Sequence, residues 1–215
     1  LKRSTHRRTS PSYPDRSDIV SRGGTEWQGW SGPQAPQSLA GAWLASGTRL
    51  ATVRGELPVE VLGAGDVLIV GGVFRATVHD VEHRVVQCVG LARPWDAWPV
   101  HVRAGALGAN LPHRDLVLSP GHRVFVDGVL IPIHCLIDGH AIVQPRAAAG
   151  DYWRILLDTP DVILAEGLPV EGAAFHTGFD EDAPLGTEDA AAARSVETGL
   201  LVEAVRARIT RRRAA

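Results

Sequence analysis

The sequence predicts an all-β domain with a disordered N-terminal tail and a C-terminal amphipathic helix, on three observations. Between Trp43 and His176, short runs rich in Val, Ile and Leu alternate with turn residues at close intervals. An Asp-Gly pair, Asp127-Gly128, separates two such runs. Residues 1–40 lack this punctuation and are rich in Ser, Pro, Gly and Arg instead.

Taken in order, residues 1–40 carry too little apolar surface to offset the entropy of ordering and read as a tail. Its Trp27 and Trp30 could dock on a surface, and Arg7 and Arg8 could meet an acidic group. Residues 41–176 read as one domain with one core. Val67–Val70, Leu116–Leu118, Arg123–Val126 and Val162–Leu164 are expected strands. Thr77–Val89 alternates loosely, Val78, Asp80, Glu82 and Arg84 opposing Thr77, His79, Val81 and His83, and reads as a long, partly exposed strand. Asp127-Gly128 predicts a two-residue hairpin, because both positions must tolerate positive φ. Residues 177–215 read as an acidic linker followed by a helix, capped by Thr187 with Glu188 and Asp189 in its first turn and ending near Ile209. Val196, Leu200, Val205 and Ile209 would form its apolar stripe, a face for the domain or for a partner protein, and Arg206, Arg208 and Arg211 to Arg213 suit its negative end.

The 22 Lys and Arg against 24 Asp and Glu argue against nucleic acid as a partner, since phosphate backbones are held by a surplus of positive charge. No apolar run is long enough to cross a bilayer, so no membrane partner is expected. The sequence contains no Met, so Leu1 is not read as a native start, and it gives no compartment. Cys88 and Cys135 lie in apolar, strand-like contexts without a Cys-x-x-Cys pair and read as buried free thiols. His79 and His83 can share one strand face, but no further ligand completes a metal site at recognisable spacing, and no cofactor is expected. His134 and Cys135, adjacent on an expected strand, should point to opposite faces and make a poor nucleophile and base pair.

His122 differs from the other histidines. It follows Ser119-Pro120-Gly121 at the mouth of a strand, where a turn can present a hydroxyl and an imidazole to one site. This turn belongs to an ordered set of segments: Leu44 to Leu50 with Gly47-Thr48, Gly55 to Glu60, Gly65 to Leu68, Val102 to Gly108, Arg114-Asp115-Leu116, Asp127 to Pro132, and Ala165-Glu166-Gly167-Leu168-Pro169. The set resembles the Hint domain, the self-processing module of hedgehog C-terminal regions and inteins, in its bacterial branch. The resemblance implies a compact Hint-type β-fold and cleavage of the peptide bond before the domain's first residue, the substrate being its own N-terminal flanking polypeptide. In that chemistry a Cys attacks the preceding carbonyl and turns the amide into a thioester. A turn His polarises the amide and protonates its nitrogen, and a turn Thr or Ser holds the strained bond. By resemblance His122 and Ser119 take these roles, while the Cys position, counted back from Gly47-Thr48, holds Trp43. The acyl shift is therefore not expected.

Three further departures point the same way. Ser46 lies three residues beyond the nucleophile position, Arg154 and Pro160 stand where the resemblance expects His, and no His-Asn pair closes the domain for splicing. The competing expectations are a non-catalytic interaction module displaying Trp43, Trp95 and Trp98, and a hydrolase using Ser119 and His122 with Asp115 or Asp66 as orienting carboxylate.

Overall fold

The structure, a computed structural model, describes residues 39, 41–174 and 195–212. Trp27, Trp30, Arg7, Arg8 and the expected Thr187 cap lie outside them.

The chain folds into two sheets that share one long strand and are antiparallel except where the last short strand runs parallel to its neighbour. The first strands are β1 (Leu44–Ala45), β2 (Arg49–Thr52), β3 (Gly55–Pro58), β4 (Val67–Val70) and β5 (Phe74–Gln87). They are followed by β6 (Val100–Val102), β7 (Leu116–Leu118), β8 (Arg123–Val126), β9 (Val129–Pro132) and β10 (Ile142–Val143). The last are β11 (Ala149–Leu157), β12 (Val162–Ala165), β13 (Leu168–Glu171) and β14 (Ala173–Ala174). The N-terminal end of β5 pairs with β4, and its remainder runs along β11 from Val78 to Gln87. One sheet therefore continues through β11, β1, β7, β6 and β10, and the other through β4, β2, β12, β13, β8 and β9.

Val78 and Val86, both on the even face of β5, are buried, while Phe74 and Asp80 on the same face are exposed. Its odd face is largely exposed, which suits a strand whose partners cover one side only. The core is aliphatic, built from Leu50, Leu68, Val70, Leu118, Ile131, Leu157 and Ile163 among others. The Asp127-Gly128 hairpin forms as expected, both residues at positive φ (52° and 81°) and Val126 opposite Val129.

The C-terminal helix α1 spans Leu200–Arg212. It begins after Gly199, at φ 110°, whose carbonyl accepts from the Glu203 N–H. Val196 donates its backbone N–H to Leu130, which anchors the segment to β9 before the helix starts. The buried face is Val202, Val205 and Ile209, packed on the 3₁₀ turn Ile133–Leu136. This corrects the expected stripe: Leu200 is 86% exposed. The helix starts at Leu200, and residues 195–199 before it are not helical, so Val196 and Leu200 are not on one helical face. Arg208 closes the packing with an ion pair to Asp127 of the hairpin, at 2.9 Å.

The orientation of α1 gives a contrast that denaturant unfolding can read. Ile209→Ala should cost about 2–5 kcal/mol, because a buried branched side chain leaves a cavity against the sheet. Leu200→Ala should change stability by less than about 0.5 kcal/mol.

Candidate functional site

Antiparallel register builds the site. Leu44 of β1 pairs with Leu118 of β7, so Trp43 and Ser119, one step further along each strand, must also lie side by side. The Ser119 N–H accordingly donates to the Trp43 carbonyl at 3.0 Å. Val170 of β13 pairs with Val124 of β8, which brings Glu171 to His122 and Arg123 in the same way. The Ser119–His122 turn closes with a His122 N–H to Ser119 carbonyl bond of 3.1 Å, and His122 is fixed from the far side by the Ile133 N–H. Three sequence-distant segments thus meet at one imidazole.

His122 is fully buried. Its Nδ1 lies 3.0 Å from the Trp43 carbonyl and its Nε2 lies 3.1 Å from the Glu171 carbonyl. Both oxygens only accept, and a neutral ring has one N–H, so a neutral His122 can satisfy one contact at a time. Burial pushes its pKa down to about 4, more strongly than the two carbonyls pull it up, and the Arg123 guanidinium adds to the fall. Arg123 itself pairs with the Glu171 carboxylate at 2.7 Å, a group whose pKa burial raises. The Ser119 hydroxyl is also buried and lies 3.4 Å from the Gly41 carbonyl, a long contact.

Trp43 is only 2% exposed. Its indole packs with Leu39, Val86, Cys88, Ala97 and Tyr152, beneath the guanidinium carbons of Arg84 and Arg154, 4.8 and 5.7 Å from a ring centroid. The structure therefore brings together Trp43, Ser119 and His122. It leaves Ser46 elsewhere, its hydroxyl donating to Glu60 at 2.5 Å.

Several expectations are corrected here. Trp43 cannot join an adhesive surface with Trp95 and Trp98, because it is core. Neither carboxylate weighed for a hydrolase reaches His122: Asp115 accepts from the Ala104 N–H, and Asp66 accepts from the Gly63 N–H and pairs with Arg54. His134 and Cys135 lie on the 3₁₀ turn that follows Pro132, not on a strand, and its tighter winding sets Cys135 Sγ 3.4 Å from His134 Nε2. His134 Nδ1 lies 2.9 Å from the Pro120 carbonyl, so Nδ1 carries the hydrogen and Nε2 is free to accept from the thiol. Cys135 is half-buried, and Cys88 is buried as expected. His79 and His83 share a strand face and each meets a carboxylate, Asp158 at 3.0 Å and Asp151 at 2.6 Å.

Sequence reasoning missed Glu171 and Arg84 as neighbours of the site, whereas Arg154, noted for standing where the resemblance expects His, lies over Trp43. Glu171 acts through a backbone carbonyl, which leaves no trace in residue type. The two arginines come together only through the β5 and β11 register, in which Arg84 pairs with Tyr152 and Glu82 with Arg154.

The family model described as Hint domain matches residues 43–178. Among solved structures, the chain is similar to a bacterial intein-like domain from Clostridium thermocellum at 14% identity and TM-score 0.43, covering 60% of this chain and 97% of that one. It is also similar to a DnaB intein from Synechocystis sp. PCC 6803 at 9% identity and TM-score 0.42, covering 61% of this chain and 99% of that one. A search of curated proteins finds no significant match.

Two outcomes follow from the site. With a folded pKa near 4 against an ordinary 6.5, His122 takes up a proton more readily in the unfolded chain, so its contribution to stability is complete above pH 6.5. It is lost as the pH falls from about 6.5 to about 4, a loss on the order of 3 kcal/mol. Melting curves across that window should show a shallower decline for His122→Gln than for the parent chain. Iodoacetamide labelling followed by peptide mass analysis should modify Cys135 before Cys88, by roughly tenfold or more in rate, because burial raises the Cys88 thiol while an imidazole faces Cys135.

Proposed function

The chain belongs to the Hint domain family, and on that premise we propose that the Ala42–Trp43 peptide bond stands at the cleavage position of this autoprocessing-type domain and stays intact for want of a nucleophile. The substrate of such a domain is its own N-terminal flanking polypeptide. The observation that carries this reading is the double engagement of one carbonyl: Trp43 O accepts from the Ser119 N–H and faces His122 Nδ1, while the Trp43 side chain offers only an indole.

The chemistry needs a thiol at that side chain. Its sulfur would add to the Ala42 carbonyl carbon, and the bond from that carbon to the Trp43 nitrogen would then break. The nitrogen would leave with a proton, and the acyl group would remain on sulfur as a thioester. An indole has no lone pair that can add in this way, and Ser46 is held by Glu60. His122 is suited to donate that proton only after acquiring it, since burial keeps the ring neutral at ordinary pH. Its neutral form can still hold the Trp43 carbonyl through Nδ1–H, which makes it a positioning group in the resting chain.

Arg84 and Arg154 bear on both states of this site. In the present chain they lie over the indole and help hold it in place. Beside a cysteine they would favour the thiolate, the reactive form. The hydrolase reading lacks an orienting carboxylate at His122, as the contacts of Asp115 and Asp66 make plain. A partner for α1 would have to engage its outer side, where Leu200 is exposed, because Val205 and Ile209 are covered by the domain.

Intact mass over time, for a reporter fused ahead of Trp43, checks the proposal. The parent chain should release nothing, with or without added thiol. Trp43→Cys should release the reporter at the residue 42–43 bond, faster with thiol, and His122→Ala in that background should slow release by about a hundredfold or more. Trp43→Cys also removes a buried ring, at a cost of about 3–5 kcal/mol, so its melting transition is recorded alongside. A Trp43→Cys chain that melts cooperatively and releases nothing overturns the proposal.

A further inference from the structure

Glu56, His113, Arg114 and Glu166 take no part in the chemistry above, yet the fold draws them to a single point. Glu56 of β3, His113 and Glu166 place a carboxylate oxygen, an imidazole nitrogen and a second carboxylate oxygen within 4.8 Å of one another. We propose that these three side chains form a site for a divalent transition-metal ion of the zinc class.

Spacing is the first argument. Zinc bonds to nitrogen and oxygen of roughly 2.0–2.1 Å, arranged tetrahedrally, set neighbouring ligand atoms about 3.3–3.4 Å apart. His113 Nε2 lies 3.1 Å from Glu56 Oε1 and 3.5 Å from Glu166 Oε2. Burial of Glu166 is the second. The Glu166 side chain is only 5% exposed, and its Oε2 is sealed from solvent, turned toward His113 and met by the exposed Arg114 guanidinium, whose Nε lies 3.0 Å away. A buried carboxylate needs a counter-cation, a place that Arg114 or a metal ion can fill. The third is orientation by neighbouring groups. Glu166 Oε1 accepts from the Arg49 N–H at 2.8 Å, its backbone N–H donates to Arg49 O at 2.9 Å, and the His113 N–H donates to Glu166 O at 2.9 Å. Gly167, at φ 76°, leaves room for the imidazole, since a Cβ there would lie 2.5 Å from His113 Nδ1.

Arg114 supplies the positive charge in the metal-free protein. Its Nε lies 3.0 Å from Glu166 Oε2, and its Nη2 meets Glu56 Oε2 and lies 3.1 Å from His113 Nε2. The side chain is 51% exposed, so it can swing outward and surrender the two carboxylates to an ion. Arg114 is thus an internal competitor for the metal. A third protein ligand completes the set, and the fourth tetrahedral position is left to solvent.

Zinc chloride titrated into the full chain by calorimetry tests the site, with cobalt(II) absorption reporting tetrahedral geometry. The expected result is one equivalent bound, weakened roughly tenfold or more by His113→Gln and tightened severalfold by Arg114→Ala. Melting curves recorded without metal show that each variant is folded. Two results overturn the proposal: no saturable binding by either the parent chain or Arg114→Ala, or one-equivalent binding that His113→Gln leaves unchanged. The latter would move the metal to exposed pairs such as His83 and Asp151.

Discussion

The pairing of Leu44 with Leu118 is the constraint from which the site descends. It fixes which carbonyl meets the Ser119–His122 turn, and a slip of one residue would send every side chain of β1 to the opposite face. Two residues are a short strand, yet β1 is held on both edges, by β7 and by β11, where Leu44 faces Trp153. The turn is locked in its own way, by the Ile133 N–H on the His122 carbonyl and the His134 N–H on the Pro120 carbonyl. A position beside this turn is therefore specified by backbone hydrogen bonds and not by the residue that happens to occupy it.

Trp43 shows what that independence permits. The backbone at residue 43 is held by the Ser119 N–H and lies beside His122, while its side chain belongs to a small core with Tyr152 and Cys88. The Tyr152 hydroxyl donates to the Ala97 carbonyl at 2.9 Å, so even the polar member of that cluster is satisfied. A large ring on this spot fills space that a cysteine would leave open. Under the proposed function, the chemical and the packing demands on position 43 oppose each other, and the residue here serves packing.

Much of this was legible in the sequence. Asp127-Gly128 announced its hairpin because only a few residue types tolerate positive φ twice in succession. The ordered segments from Leu44 to Pro169 announced the fold, and Ser119 with His122 announced the turn. What escaped was whatever depends on register or on local winding. Arg84 and Arg154 are seventy residues apart and become neighbours only once β5 is laid on β11. Ile133 to Leu136 reads as an apolar strand, but it directly follows Pro132 and winds as a 3₁₀ turn, which reverses the relation of His134 to Cys135. Val196 was read onto the stripe with Leu200 because the two are spaced as in a helix, whereas Gly199, at positive φ, breaks the chain between them.

The sharing of β5 by both sheets has a kinetic meaning. Most of its partners lie far away in sequence, Gln87 facing Ala149 and Val78 facing Leu157, so large loops must close before the strand is rewarded with pairing. Neither sheet can be completed without ordering its own part of a strand that continues into the other. The two layers should accordingly form and melt as a single cooperative unit, over milliseconds to seconds as is usual for non-local β topologies, with no stable half-molecule along the way.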